Sequence, residues 1–276
     1  MSHFVSTDWL NAHLNDPDVT IVDGTWHLPN AGRNAAAEFE AGHIPGAVQF
    51  DIDRIADTSA GLPHMLPDAA TFALLAGALG LSAEKTIVVY DEYGLFSAPR
   101  VWWTLRVMGA ADVKILEGGG PKWRTKNRPL ETGPANPTLA TFKAHRNDDA
   151  IASFDTVLSA IRSGGQILDA RPAPRFAGAA PEPRPGLRAG HMPDARNLPF
   201  SDLIADGRLK APQDLQAIIR NAGIDPSEPV ITSCGSGVTA AVLALALDTI
   251  GASRVMLYDG SWAEWGARDD APVETD

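Results

Sequence analysis

The sequence predicts an α/β protein of two tandem domains, each a mainly parallel sheet flanked by helices. Three observations lead there. Short Val- and Ile-rich runs alternate with segments of helical period, the two halves of the chain share wording, and a polar, proline-containing stretch separates them.

The strand-like runs are Thr20–Asp23, Thr86–Asp91 and Asp112–Glu117 in the first half, then Gln166–Asp169, Val230–Ser233 and Arg254–Asp259 in the second. Between them fall helix-period segments at Ala69–Gly80, Pro99–Gly109, Phe154–Ser163, Pro212–Ala222 and Val238–Ile250, several ending at or near a glycine suited to a C-cap. The shared wording pairs VDGTW at Val22 with LDARP at Leu168, AGHIPGA at Ala41 with AGHMPDA at Ala189, and LEGGGPKW at Leu116 with YDGSWAEW at Tyr258. A single α/β domain would alternate strands and helices too, but it would not write AGH-x-P twice, so an internal duplication is the economical reading. Arg124–Asp149 is polar, holds three prolines and has no clear apolar period. The expected layout is a first domain over residues 1–130, a linker over 131–149 and a second domain over 150–276.

With 276 residues, 45% apolar and 21% charged, the chain is long enough for two cores. Its longest apolar stretch, Val238–Leu247, is too short for a bilayer, which needs about 20 residues. The N-terminal MSHFVSTDWLNAHL has neither the basic and apolar regions of a secretory signal nor the arginines of a transit peptide, so a cytoplasmic location is expected. A net charge of −11 argues against general nucleic-acid binding, and any anionic ligand must meet a local positive pocket. The one cysteine, Cys234, can form neither an internal disulfide nor a cysteine-rich zinc site.

Cys234 is the candidate nucleophile. In VITSCGSGVTAAVLALALDTIG an apolar strand runs into a loop of small residues and then an apolar helix, which puts the cysteine at the C-terminal end of a strand, where parallel sheets bind ligands. A free cysteine is more often plain packing. Here it follows the strand rather than lying inside it, and Gly235 and Gly237 let backbone approach a bound atom closely. Loop N–H groups and the positive end of the helix dipole would favour a thiolate.

The cysteine loop, both AGH-x-P motifs and the terminal YDGSW-x-EW together resemble the tandem-domain rhodanese superfamily, and the likeness runs from Val5 to Glu264. The resemblance implies two rhodanese-like domains and a sulfurtransferase that needs no cofactor. Sulfur would pass from 3-mercaptopyruvate through a Cys234 persulfide to a thiol or cyanide, with pyruvate released. It also implies a first domain without a nucleophile, since IVVYDEYGLFSAPRVWW places Asp91 where the second half has Cys234, and a carboxylate cannot carry sulfane sulfur.

Further roles follow from the same likeness. The spacing of Arg175 and Arg184 matches the family pair that binds the substrate carboxylate and carbonyl, for which planar guanidinium forks are suited. Pro185 departs from the pattern, which has a small polar or acidic residue there. Gly235, Gly237, Val238 and Thr239 would line the substrate loop. Asp53 and His64 match family residues proposed as a proton relay to the cysteine across the domain interface, with Ser236 completing it or bonding to the persulfide. A small thiol or thioredoxin is the implied acceptor. His43 and His191 tempt as a metal pair but, repeated in a domain without a nucleophile, are expected to make a fold-level hydrogen bond. Trp102, Trp103 and Trp262 are expected as core or interface aromatics.

Rival readings remain. Thiosulfate:cyanide sulfur transfer uses the same fold, although enzymes preferring that dianion place basic groups where this chain has Gly235 and Ser236. A persulfide-sensing module without catalysis is a further alternative. A cysteine-dependent phosphatase would need an arginine at the end of the loop, and GSGVTAA has none.

Overall fold

The computed structural model describes residues 2–276. The first half contributes β1 (Phe4–Val5), α1 (Thr7–Ala12), β2 (Val19–Asp23), α2 (Ala35–Ala41), β3 (Val48–Gln49), α3 (Ala69–Ala78), β4 (Thr86–Tyr90), α4 (Ala98–Val107), β5 (Asp112–Leu116) and α5 (Gly119–Thr125). The second contributes β6 (Ile151–Ala152), α6 (Phe154–Ser163), β7 (Gln166–Asp169), α7 (Ala173–Phe176), β8 (Arg196–Asn197), β9 (Ile204–Ala205), β10 (Arg208–Leu209), α8 (Pro212–Asn221), β11 (Val230–Ser233), α9 (Ala240–Thr249), β12 (Val255–Tyr258) and α10 (Ser261–Trp265). Each half forms a five-stranded sheet, ordered β1-β5-β4-β2-β3 in one and β6-β12-β11-β7-β8 in the other. Every pairing within them is parallel. The two orders are the same topology written twice, as an internal duplication requires.

The central strands form because they can be buried on both faces. In β4, Ile87, Val88, Val89 and Tyr90 are all fully buried, as continuous apolar runs in parallel sheets must be. Helix α9 is likewise buried from Ala240 to Leu247 with alanines and leucines interleaved, so it is apolar all round instead of amphipathic. Helix α6 is the opposite case, capped by Ser153 Oγ accepting from Thr156 N at 3.2 Å and stopped by left-handed Gly164.

The chain divides into two compact units that do not follow the sequence halves. Unit 1 takes in residues up to Ala56, Leu66–Asn147 and Asp206–Arg208; unit 2 takes in Asp57–Met65, Asp148–Ala205 and Leu209–Asp276. Residues 131–147, expected as a linker, pack onto unit 1. Phe142 is buried edge-on against Phe72, and the backbone runs along helix ends through Ala140 N to Gly77 O and Asn147 N to Val107 O. Gly77 permits that approach, because a Cβ there would lie 2.6 Å from the Ala140 carbonyl oxygen.

His43 and His191 each fasten a C-terminal extension to their unit. His43 stacks on Phe39 and bonds through Nδ1 to its carbonyl at 2.7 Å, while its backbone exchanges two hydrogen bonds with Glu131. His191 repeats this with Phe176, at 3.0 Å, and with Glu274. Trp123 and Trp265 follow the same symmetry, donating through Nε1 to Pro129 and Pro272 carbonyls, both at 2.8 Å. Trp102, Trp103 and Trp262 are all buried.

At the end of β2, Asp23 stands where β7 has Asp169, but Thr25 stands where unit 2 has Arg171. Burial pushes the Asp23 carboxyl up to about 6, opposed by hydrogen bonds from Thr25 and Tyr90. Between its unfolded value of 3.8 and about 6 the folded chain binds more protons than the unfolded one, so this group costs stability above that window and nothing below it. Asp23→Asn is therefore expected to be more stable than wild type by roughly 3 kcal/mol at pH 8, the gap narrowing as pH falls toward 4. Denaturant titrations of both proteins across pH measure that gap, and a constant difference would contradict the assignment.

Candidate active site

The strand order reverses between β7 and β11, so in unit 2 the C-terminal ends of these neighbours form the switch point where open α/β sheets bind ligands. Cys234 follows β11 directly and is 2% exposed. Its loop is strapped by the start of α10. Trp262 N donates to Cys234 O and Ala263 N to Gly235 O, both at 2.9 Å, while Cys234 N donates to Ser261 Oγ at 3.2 Å. Ser261 takes a left-handed φ of 48° and donates its hydroxyl to Tyr258 O at 2.8 Å. Gly237, at φ 78°, turns the chain into α9. Ser236 and Val238 are buried, and Gly235 and Thr239 are partly exposed.

Unit 1 reveals what such a loop demands. Asp91 holds the position of Cys234, and its Oδ2 accepts from the backbone N–H of Phe96, Ser97 and Ala98 at 2.7, 2.8 and 2.8 Å, while Oδ1 accepts from Tyr93 N at 2.9 Å. One carboxylate thus satisfies the N–H groups that open α4. The shorter loop before α9 has the same strand-to-helix course with a thiol at that point.

The arginines lie in a buried ionic chain. Arg171, 1% exposed, grips Asp169 through Nε and Nη2, donates to Gly190 O at 2.9 Å and lies 4.2 Å over the Trp262 ring. Its Nη1 donates to Glu182 Oε1 at 2.9 Å. Burial by itself would lower the guanidinium's pKa, but the Asp169 and Glu182 carboxylates raise it above its ordinary value. Glu182 also takes Arg175, accepting from Nε at 3.3 Å and closely from Nη2. The Arg175 guanidinium lies over the cysteine loop, with Nη2 3.0 Å from where a Cβ on Gly235 would stand. A glycine there is what admits the fork.

Arg184 Nη2 is 3.3 Å from His64 Nε2. His64 is 5% exposed with a left-handed φ of 62°, and it belongs to unit 2 through the segment Asp57–Met65, closed by Asp57 N to Met65 O at 2.8 Å. His64 thus lies in the first half of the sequence but packs with unit 2. Asp53 does belong to unit 1, where its Oδ2 accepts from Trp26 Nε1 at 3.0 Å. Asp169, Arg171, Glu182 and Ser261 escaped sequence reasoning. The signal was present for two of them: LDARP carries Asp169 and Arg171 at the motif repeated from VDGTW, where only the aspartate is common to both copies.

Residues 6–126 and 153–268 each match the Rhodanese-like domain family. The tandem repeat and the cysteine loop define the class, and the chain belongs to the rhodanese family. It is 47% identical over 273 residues to the 3-mercaptopyruvate sulfurtransferase of Escherichia coli K12, covering 98% of this chain and 97% of that one. It is 40% identical to the 3-mercaptopyruvate sulfurtransferase of Homo sapiens, covering 96% and 92%. The crystal structure of SseA from Escherichia coli, described as a 3-mercaptopyruvate sulfotransferase with the rhodanese fold, superposes with a TM-score of 0.89 at 44% identity, covering 95% of this chain and 99% of that one.

Removing the Asp91 carboxylate leaves four backbone donors without their acceptor. Asp91→Ala is expected to destabilise unit 1 by about 3 kcal/mol or more while leaving iodoacetamide labelling of Cys234 unchanged, as read by calorimetry and mass spectrometry. A loss below about 0.5 kcal/mol would show that the cradle does not need an anion.

Proposed function

We propose that the protein is a 3-mercaptopyruvate sulfurtransferase in which Cys234 carries the sulfur. The observation that supports this most directly is the Arg175 guanidinium set over the cysteine loop, a carboxylate-binding fork beside the only thiol. The Cys234 thiolate attacks the substrate sulfur. As the new S–S bond forms, the C–S bond breaks, and its electron pair passes to the three-carbon fragment as the enolate of pyruvate. Arg175 and Arg184 hold the carboxylate and the developing enolate oxygen, and the fragment takes up a proton at its terminal carbon to leave as pyruvate. The outer sulfur, as a persulfide anion, is held by the N–H groups of Gly235, Ser236, Gly237, Val238 and Thr239.

An acceptor thiolate, or cyanide, then attacks that outer sulfur and restores Cys234, so the two half-reactions give ping-pong kinetics. A small thiol or a thioredoxin-type dithiol in the cytoplasm is the acceptor in this reading. Of the two residues for which a proton relay is expected, His64 meets Arg184 through Nε2 at 3.3 Å, which supports a role in orienting that arginine. Asp53 accepts from Trp26 Nε1, and Ser236, buried in the loop, bonds to the persulfide in this reading.

Incubation with 3-mercaptopyruvate is expected to add one sulfur to the intact mass of wild type, with stoichiometric pyruvate, and nothing to Cys234→Ser. Wild type that shows neither adduct nor pyruvate overturns the reading. For the substrate arginine, Arg184→Gly is expected to raise KM for 3-mercaptopyruvate by about tenfold or more with a far smaller change for thiosulfate, and His64→Ala to move it in the same direction by less. Equal effects on both donors would remove Arg184 from carboxylate recognition.

A further inference from the structure

Arg175 does not reach the cysteine loop unaided. Its Nε and Nη2 are both engaged by Glu182, and the same Nη2 is the guanidinium atom nearest the loop, 3.0 Å from where a Cβ on Gly235 would stand, with Nη1 at 4.0 Å. Glu182 is itself held from a second side: its side chain is 1% exposed, and its Oε1 is shared with Arg171 Nη1. Arg171 is anchored to β7 by Asp169 and to the wall of the site by the Trp262 ring. A rigid line therefore runs from strand β7 through Arg171 and Glu182 to the one arginine that overlies Gly235. Arg171 has its donors spent on protein acceptors and is not available to substrate.

Charge runs along the same line. Asp169 offsets Arg171, and Glu182, touching both arginines, reduces the positive charge that Arg175 presents at the loop. The single carboxylate of a monoanionic keto acid needs one fork and one charge at the loop, the keto oxygen being left to Arg184. Thiosulfate is a compact dianion, and a buried carboxylate within hydrogen-bond contact of the receiving arginine opposes its second charge.

Building on the sulfurtransferase reading, we propose that Glu182 is a positioning and donor-selecting residue: it sets the direction of the Arg175 fork and lowers the charge at the cysteine loop, favouring a carboxylate monoanion over a dianionic sulfur donor. It touches neither substrate nor the reacting sulfur and acts through Arg175.

The test is the steady-state ratio of kcat/KM for 3-mercaptopyruvate to that for thiosulfate, with cyanide as acceptor, in wild type, Glu182→Gln and Glu182→Asp. Glu182→Gln is expected to raise KM for 3-mercaptopyruvate about 10- to 100-fold with a smaller change in kcat, and to shift the donor ratio toward thiosulfate by about tenfold or more. Glu182→Asp, which keeps the charge on a shorter stem, is expected to recover part of the ratio. A ratio within twofold of wild type in Glu182→Gln, or equal losses on both donors confined to kcat, overturns the proposal. If Glu182→Gln fails to fold by circular dichroism, Glu182→Asp alone decides: a KM for 3-mercaptopyruvate within twofold of wild type overturns it, and a rise of threefold or more at retained melting temperature supports it. If wild type loads sulfur only from thiosulfate, the functional reading fails by itself. Glu182→Gln must then still increase thiosulfate turnover for this inference to stand.

Discussion

The N–H groups that open a helix behind a parallel strand need a negative partner, and the two halves of this chain meet that need differently. In unit 1 the Asp91 carboxylate fills the cradle permanently. In unit 2 the equivalent point carries a thiol, whose charge can appear, move to an outer sulfur and disappear during a reaction cycle. The same backbone thus makes a structural joint in one unit and a chemical site in the other. What separates them is whether the anion is built in.

Around that cradle the rest of unit 2 can be understood as support. The α10 strap fixes the carbonyls of Cys234 and Gly235 and, through Ser261 Oγ, the Cys234 N–H. The ionic chain from Asp169 to Arg175 lies nine-tenths or more buried except at its last member, so its geometry is costly to disturb. Unit 1 keeps the aspartate of this chain but replaces the arginine by Thr25, and Asp23 is left with a carboxyl that burial pushes upward.

The parallel sheets were legible because their central strands must be apolar throughout, and the repeated AGH-x-P and Trp motifs marked the same joints in both halves. The edge strands β1, β3, β6 and β8 were not, since two residues carry no period to read. Cys234 stood out by residue type and its place after a strand, and Arg175 and Arg184 through their likeness to the rhodanese-family pattern. Glu182 did not, because a glutamate between two prolines looks like solvent-facing loop until folding buries its side chain between two guanidinium groups. The packing of Asp57–Met65 into unit 2 was equally invisible: nothing in its composition says which core receives it.

That exchange of segments bears on how far the two halves can be separated. Unit 2 includes nine residues encoded by the first half, Asp57–Met65, and unit 1 includes Asp206–Arg208 from the second, where Gly207 O receives Gly118 N–H at 3.1 Å. A chain cut near residue 148 would yield two fragments, each lacking a piece of its own unit, and the second would lack His64. The duplication is therefore no longer two modules on a string.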